Sequence, residues 1–146
     1  MTTATTCIRV QRALAVLGTV AATATCWTLN VPLGGAELTV RTNGTTSTVG
    51  LGAVLVTALL AGLAGWALLA VLERFDRFVR RPGRAWTAIA VTVLVLSLAG
   101  PLGSGVGSST KIALVGLHLT VGMVLVPNLW LSTRPLRVRG AVPAGA

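Results

Sequence analysis

Apolar positions in this chain fall into four long blocks rather than into alternating or 3.6-period stripes. The first block runs from Ala13 to Val31 and ends at Pro32, and the second runs from Leu51 to Leu72 and stops at Glu73 and Arg74. The third starts near Ala85 and reaches Leu102, with Pro101 at its far end. The fourth runs from Ile112 to Leu131 and closes before Arg134 and Pro135. Each block is close to the ~20 residues that a helix needs to cross ~30 Å of hydrocarbon. No Asp, Glu, Lys or Arg lies inside 13–31, 51–72, 85–102 or 112–131. The pattern predicts an all-α fold: one membrane domain over 1–146, a bundle of four transmembrane helices, with disordered tails at 1–8 and 135–146.

The segments between the blocks are short and legible. Residues 37–49 place Asn43-Gly44 between two runs rich in Thr and Val, and Asn-Gly is the preferred centre of a type I′ hairpin turn. A two-residue turn pairs Thr42 with Thr45, Val40 with Ser47 and Leu38 with Val49. Leu38, Val40 and Val49 then share one face, while Glu37, Thr39, Arg41, Thr46 and Thr48 share the other. A lone hairpin is marginal in water, so its apolar face is expected to rest on the helix ends or the headgroups. Asn43-Gly44-Thr45 also fits the N-glycosylation pattern, which is common by chance. Residues 103–110 form a glycine-rich turn without the Gly-Lys-Ser/Thr ending of a phosphate loop. Residues 73–84 form an Arg-rich connection that continues as helix and breaks at Pro82-Gly83. There Glu73 with Arg77, and Asp76 with Arg80, have the i,i+4 spacing of exposed ion pairs.

Charge placement turns the bundle into an oriented one. Arg9 and Arg12 precede the first span, Arg74, Arg77, Arg80, Arg81 and Arg84 join the second to the third, and Arg134, Arg137 and Arg139 follow the fourth. These ten face only Arg41 and Lys111 on the opposite side, so the positive-inside rule puts both termini in the cytoplasm and the hairpin outside the cytoplasmic membrane. Arg74, Arg77, Arg80, Arg81 and Arg84 are the candidate contacts to anionic lipid headgroups. The net charge of +9 does not imply nucleic acid, because no groove-reading motif accompanies it. Trp27, Trp86 and Trp130 sit near span ends, where indoles favour the headgroup layer, and Trp66 lies deeper, to pack on a neighbouring helix. Arg9, Arg12 and the apolar stretch through Ala22-Thr23-Ala24 have the outline of a signal peptide. The stretch continues apolar to Val31, and a retained span is expected.

Composition adds little more. Hydrophobic residues make up 53% and charged residues 10% of the chain, against about 25% charged in soluble domains. Cys7 and Cys26 lie nearly 30 Å apart along a helix that rises about 1.5 Å per residue, too far for a disulfide. The titratable side chain inside a span is His118, with Gly122 one turn further on. Together with Ser97 and Thr120 they make up the candidate intramembrane polar site, His118 being expected to bond a Ser, a Thr or a carbonyl of a neighbouring helix. Pro127 frees the carbonyl of Met123 and is expected to kink the end of the fourth span. Small residues four apart, such as Ala58 with Gly62 and Ala61 with Gly65, have the spacing of close helix packing in lipid.

No Cys-x-x-Cys, no His/Asp/Glu cluster and no Ser-His-acid set is present in the pattern, so no catalytic or metal site and no cofactor is expected. The expected role is a non-enzymatic accessory or partner-binding subunit of the bacterial cytoplasmic membrane. Its partners would be lipids, a second copy of the chain or another membrane protein. The alternative is a small-molecule binder or transporter with a cavity near His118.

Leu-Ala-Gly-Leu-Ala-Gly-Trp at 60–66, Leu-Glu-Arg at 72–74, Leu-Ser-Leu-Ala-Gly-Pro-Leu at 96–102, and His118-Leu119 with Gly122 and Pro127 together carry a resemblance. Over residues 13–131 the chain resembles an uncharacterised family of small four-helix membrane proteins from high-GC bacteria. The resemblance implies the four-span fold and brings no assigned activity.

Overall fold

A computed structural model describes residues 2–75 and 82–133. Helix α1 spans Thr2–Asn30, strands β1 (Thr39–Thr42) and β2 (Thr45–Thr48) form a hairpin, and α2 spans Leu51–Arg74. Helix α3 (Pro82–Ser97), a short α4 (Ala99–Ser104) and α5 (Ser108–Leu131) follow. Four segments are long and apolar enough to cross a membrane: Thr6–Asn30, Leu51–Arg74, Pro82–Ser104 and Ser108–Leu131. The chain is therefore a four-helix, multi-pass membrane protein with a small hairpin between its first two spans.

The helices begin and end where backbone chemistry dictates. Helix α1 starts at Thr2, so the stretch expected as a disordered tail at 1–8 is helical from its second residue. Pro82 opens α3, and the helical continuation expected ahead of it lies at 76–81, outside the described residues. At a first helical position the missing N–H of a proline removes no bond and its fixed φ suits the helix. The third span is not continuous. Pro101 cannot donate to the carbonyl four residues back and its ring crowds that carbonyl, which belongs to Ser97. Accordingly α3 stops at Ser97, Leu98 forms a turn, and α4 resumes at Ala99. Pro127 lies inside α5, which continues to Leu131.

Packing runs α1 on α2, α2 on α3, α3 on α5 and α5 back on α1, a closed ring of antiparallel neighbours. Both described chain ends, the last turn of α2 and the first turn of α3 lie at one end, here the terminal end, and the hairpin lies at the other. Close approach between helices depends on glycines at 62, 83 and 122, Gly83 of α3 lying where a Cβ would sit 2.6 Å from Thr133 Oγ1. A Cβ on Gly62 would sit 2.9 Å from Val16 Cγ1 of α1, and one on Gly122 would collide with Leu94 of α3. Gly18 and Gly116 meet nothing within 4 Å, so neither marks a close helix contact. Only 11–33% of each apolar window is buried inside the molecule, which leaves the remainder for hydrocarbon to cover.

The hairpin has the expected register: Thr39 pairs with Thr48, Val40 with Ser47, Arg41 with Thr46 and Thr42 with Thr45. Asn43 and Gly44 carry φ of 51° and 80°, the left-handed pair that a type I′ turn requires. Its apolar face covers the bundle. Leu38, 3% exposed, is buried with Val54 of α2 and Ala113, Leu114 and Leu117 of α5, and Val40, Val49, Cys26 and Trp27 pack around them.

Candidate functional site

Two polar regions lie on this scaffold, one along the spans and one at the terminal end. Along the spans most hydrogen-bonded hydroxyls turn back onto their own helices, the exception being buried Thr110, whose Oγ1 donates to Glu37 O (2.7 Å). Thr19 Oγ1 donates to Ala15 O (2.8 Å) and Thr23 Oγ1 to Thr19 O (2.7 Å), both residues being buried. The polar members of the candidate site behave in the same way. His118 Nδ1 lies 2.9 Å from Leu114 O, Thr120 Oγ1 donates to Gly116 O (2.8 Å), and Ser97 Oγ donates to Leu94 O (2.7 Å). His118 thus bonds the preceding turn of α5 and not a neighbouring helix. With a carbonyl as partner, Nδ1 must carry the proton, so in the neutral ring Nε2 is the acceptor. Gly122, the fourth member, seats Leu94 of α3. No hydrogen bond joins His118, Ser97 and Thr120 to one another. Among the described residues no group of three His, Cys, Asp or Glu side chains could hold a metal ion.

The terminal end holds an arrangement that reasoning from sequence missed. Arg12 is buried, and its Nη2 donates to Glu73 Oε1 at 2.6 Å while its Nε donates to Ser132 Oγ at 3.1 Å. One guanidinium thereby ties α1 to the last turn of α2 and to the residue that closes α5. Ser132 Oγ in turn donates to Leu129 O (2.6 Å). The signal was available: Arg12 lies three, four and seven residues before Ala15, Val16 and Thr19, on the stripe that α1 buries, and that spacing marks one helix face. Glu73 is engaged by Arg12, where the i,i+4 spacing points to Arg77. Arg77, Asp76, Arg80 and Arg81 lie outside the described residues, as do Arg134, Arg137, Arg139 and the 135–146 tail. Of the candidate headgroup contacts that are described, Arg74 and Arg84 are exposed.

Trp86, expected near the headgroups, is a core residue. It is 1% exposed, donates its indole N–H to Gly65 O (2.9 Å), and packs with Ala15, Leu69, Leu125 and Leu129. Trp66, expected to be the packing residue, is half-buried. At the other end Trp27 Nε1 donates to Val49 O at 3.4 Å, fastening α1 to the hairpin. Both Cys7 and Cys26 are free thiols.

These features define a class: a small multi-pass membrane bundle, tied at one end by a buried ion pair and covered at the other by a one-sided hairpin. The chain belongs to a family of unknown function, DUF6069, which it matches over residues 3–135. No curated protein and no solved structure matches it.

Proposed function

We propose that the protein is a non-enzymatic accessory subunit of the bacterial cytoplasmic membrane, with both termini and the Arg-rich connection in the cytoplasm. The observation that carries the reading is the disposition of polar groups. The buried hydroxyls of Thr19 and Thr23, the hydroxyl of Thr120 and Nδ1 of His118 are spent on their own helices, and Thr110 Oγ1 on the Glu37 carbonyl, whereas an enzyme or ion-coupled carrier aims such groups at a shared point. What the molecule offers instead is surface: lipid-facing helix sides, exposed arginines (Arg9, Arg74, Arg84) at the terminal end, and an exposed strand at the other. The arginines suit anionic headgroups on the cytoplasmic side.

Native mass spectrometry of protein extracted mildly from its own membrane tests this reading. A defined complex with another membrane protein or with a second copy, free of any non-lipid ligand, is the expected result. One observation favours the alternative of a small-molecule binder. His118 is half-buried and engages only Nδ1, which leaves Nε2 as an acceptor for a ligand beside α5. A stoichiometric non-lipid ligand that is lost in His118→Ala would move the assignment there.

A further inference from the structure

The threonine-rich strand β2 is the open edge of a sheet whose opposite edge is already occupied. In the hairpin, Thr42–Thr45, Val40–Ser47 and Leu38–Val49 are the pairs whose backbone groups face each other, as the 2.7 Å bond from Val49 N–H to Leu38 O requires. The residues between them point their backbone groups outward: Thr39 and Arg41 from β1, Thr46 and Thr48 from β2. On the β1 side that edge is used, because Val106 N–H donates to Thr39 O (2.9 Å) and Val40 bridges Gly105. On the β2 side, among the described residues, Thr46 and Thr48 have no partner for their outward N–H and C=O groups. All four residues of β2 are exposed. Ser47 is exposed although it lies on the face that buries Leu38, so β2 overhangs the helix ends. The strand has no charge, proline or bulge to blunt its edge, and Thr suits extended backbone.

The geometry points to β2 as a self-pairing edge: a second copy of this chain adds its own β2 antiparallel, making one four-stranded sheet across two bundles. The edge is self-complementary about Ser47. With Ser47 opposite Ser47 of the second copy, Thr46 stands opposite Thr48 of the second copy and exchanges both backbone bonds with it, and the converse pair does the same. Every outward group of β2 is then satisfied, and the threonines form cross-strand pairs. Symmetry agrees as well. The two-fold axis of an antiparallel pair stands perpendicular to the sheet. This sheet lies with its apolar face on the ends of α1, α2 and α5, so that axis runs along the bundle. Two copies related by it enter the membrane in the same sense, as a closed dimer requires. The inference is independent of the accessory reading, because a transporter could pair through the same edge.

Cysteine cross-linking in native membranes reads the register directly, in a background of Cys7→Ser and Cys26→Ala. Ser47→Cys puts two thiols opposite each other at a non-hydrogen-bonded position, where Cα atoms lie about 4.5 Å apart, within disulfide reach. Thr46→Cys and Thr48→Cys each face a threonine, so either alone is expected to give about tenfold less oxidised dimer than Ser47→Cys. Co-expressing those two variants restores the cross-link. Thr48→Pro removes an outward N–H while leaving the β1–β2 ladder intact, and added to Ser47→Cys it is expected to abolish the dimer. Equal cross-linking at 46, 47 and 48, no dimer from Ser47→Cys, a dimer that survives Thr48→Pro, or capture of a different protein would each overturn the proposal.

Discussion

Arg12 shows what one charged side chain does when it is drawn into a bundle. Its guanidinium is 7% exposed, and taking such an ion out of water is unfavourable unless its hydrogen bonds are supplied. Glu73 and Ser132 supply them from two other helices. Glu73 itself is 34% exposed, so water screens part of the attraction and the pair acts more as a register pin than as a source of stability. Glu73→Gln should therefore destabilise the bundle by about 1–3 kcal/mol, because a buried cation loses its counter-charge. The double variant Arg12→Met with Glu73→Met should recover most of that loss. Reversible unfolding in mild detergent of Arg12→Met, Glu73→Met and the double variant, arranged as a double-mutant cycle, measures the coupling. A coupling indistinguishable from zero would mean that the pair contributes nothing beyond its side-chain packing.

At the scale of elements, the spans and the hairpin are readable for one reason and the contacts between helices unreadable for another. A block of about 20 apolar residues states its own length, and Asn43-Gly44 states its turn, so the four spans and the 39–48 register follow directly from the pattern. Which side of a span faces a neighbour does not follow, because lipid and protein interior are equally apolar and no amphipathic stripe sets the rotational phase. That is why Trp86, and not Trp66, fills the core beside Leu69 and Leu129, and why Arg12 passes in the sequence for one more orienting charge. The break at Leu98 was readable from Pro101, since the ring crowds the Ser97 carbonyl. Glycines retain some phase information where they admit a neighbour, and Gly62 and Gly122 differ in kind. Gly62 faces the β-branched Val16, whose side chain is stiff at χ1, and Gly122 faces the flexible end of Leu94. Gly62→Ala should thus push α1 from α2 and cost about 1–3 kcal/mol. Gly122→Ala should cost less, although the approach there is tighter, because Leu94 can change rotamer. Unfolding midpoints of the two variants in the same detergent decide the order, and a larger loss at Gly122 would show that Leu94 is locked.

For the whole molecule, asymmetry is the leading feature. Arg12 and Glu73 neutralise each other, yet the sequence before the first span, between the second and third and after the fourth retains nine further arginines, at 9, 74, 77, 80, 81, 84, 134, 137 and 139, against Asp76. The hairpin end carries Arg41, Lys111 and Glu37. Segments that carry arginine resist translocation, and the bias counts most across short connections such as these. The bias is spread over several segments rather than resting on one residue. Orientation should accordingly be uniform and robust to the loss of single arginines. In a background of Cys7→Ser and Cys26→Ala, a thiol from Thr48→Cys should react with a membrane-impermeant maleimide in intact cells. A thiol from Ala144→Cys should react only after permeabilisation. Arg41→Asp should leave that pattern unchanged, since it widens the same bias. Replacing Arg74, Arg77, Arg80, Arg81 and Arg84 together by Gln should yield a mixed population, each span boundary of the α2–α3 connection having lost its positive charge. Labelling of position 144 in intact cells that keep all these arginines would reverse the orientation and move the arginines to the outer leaflet.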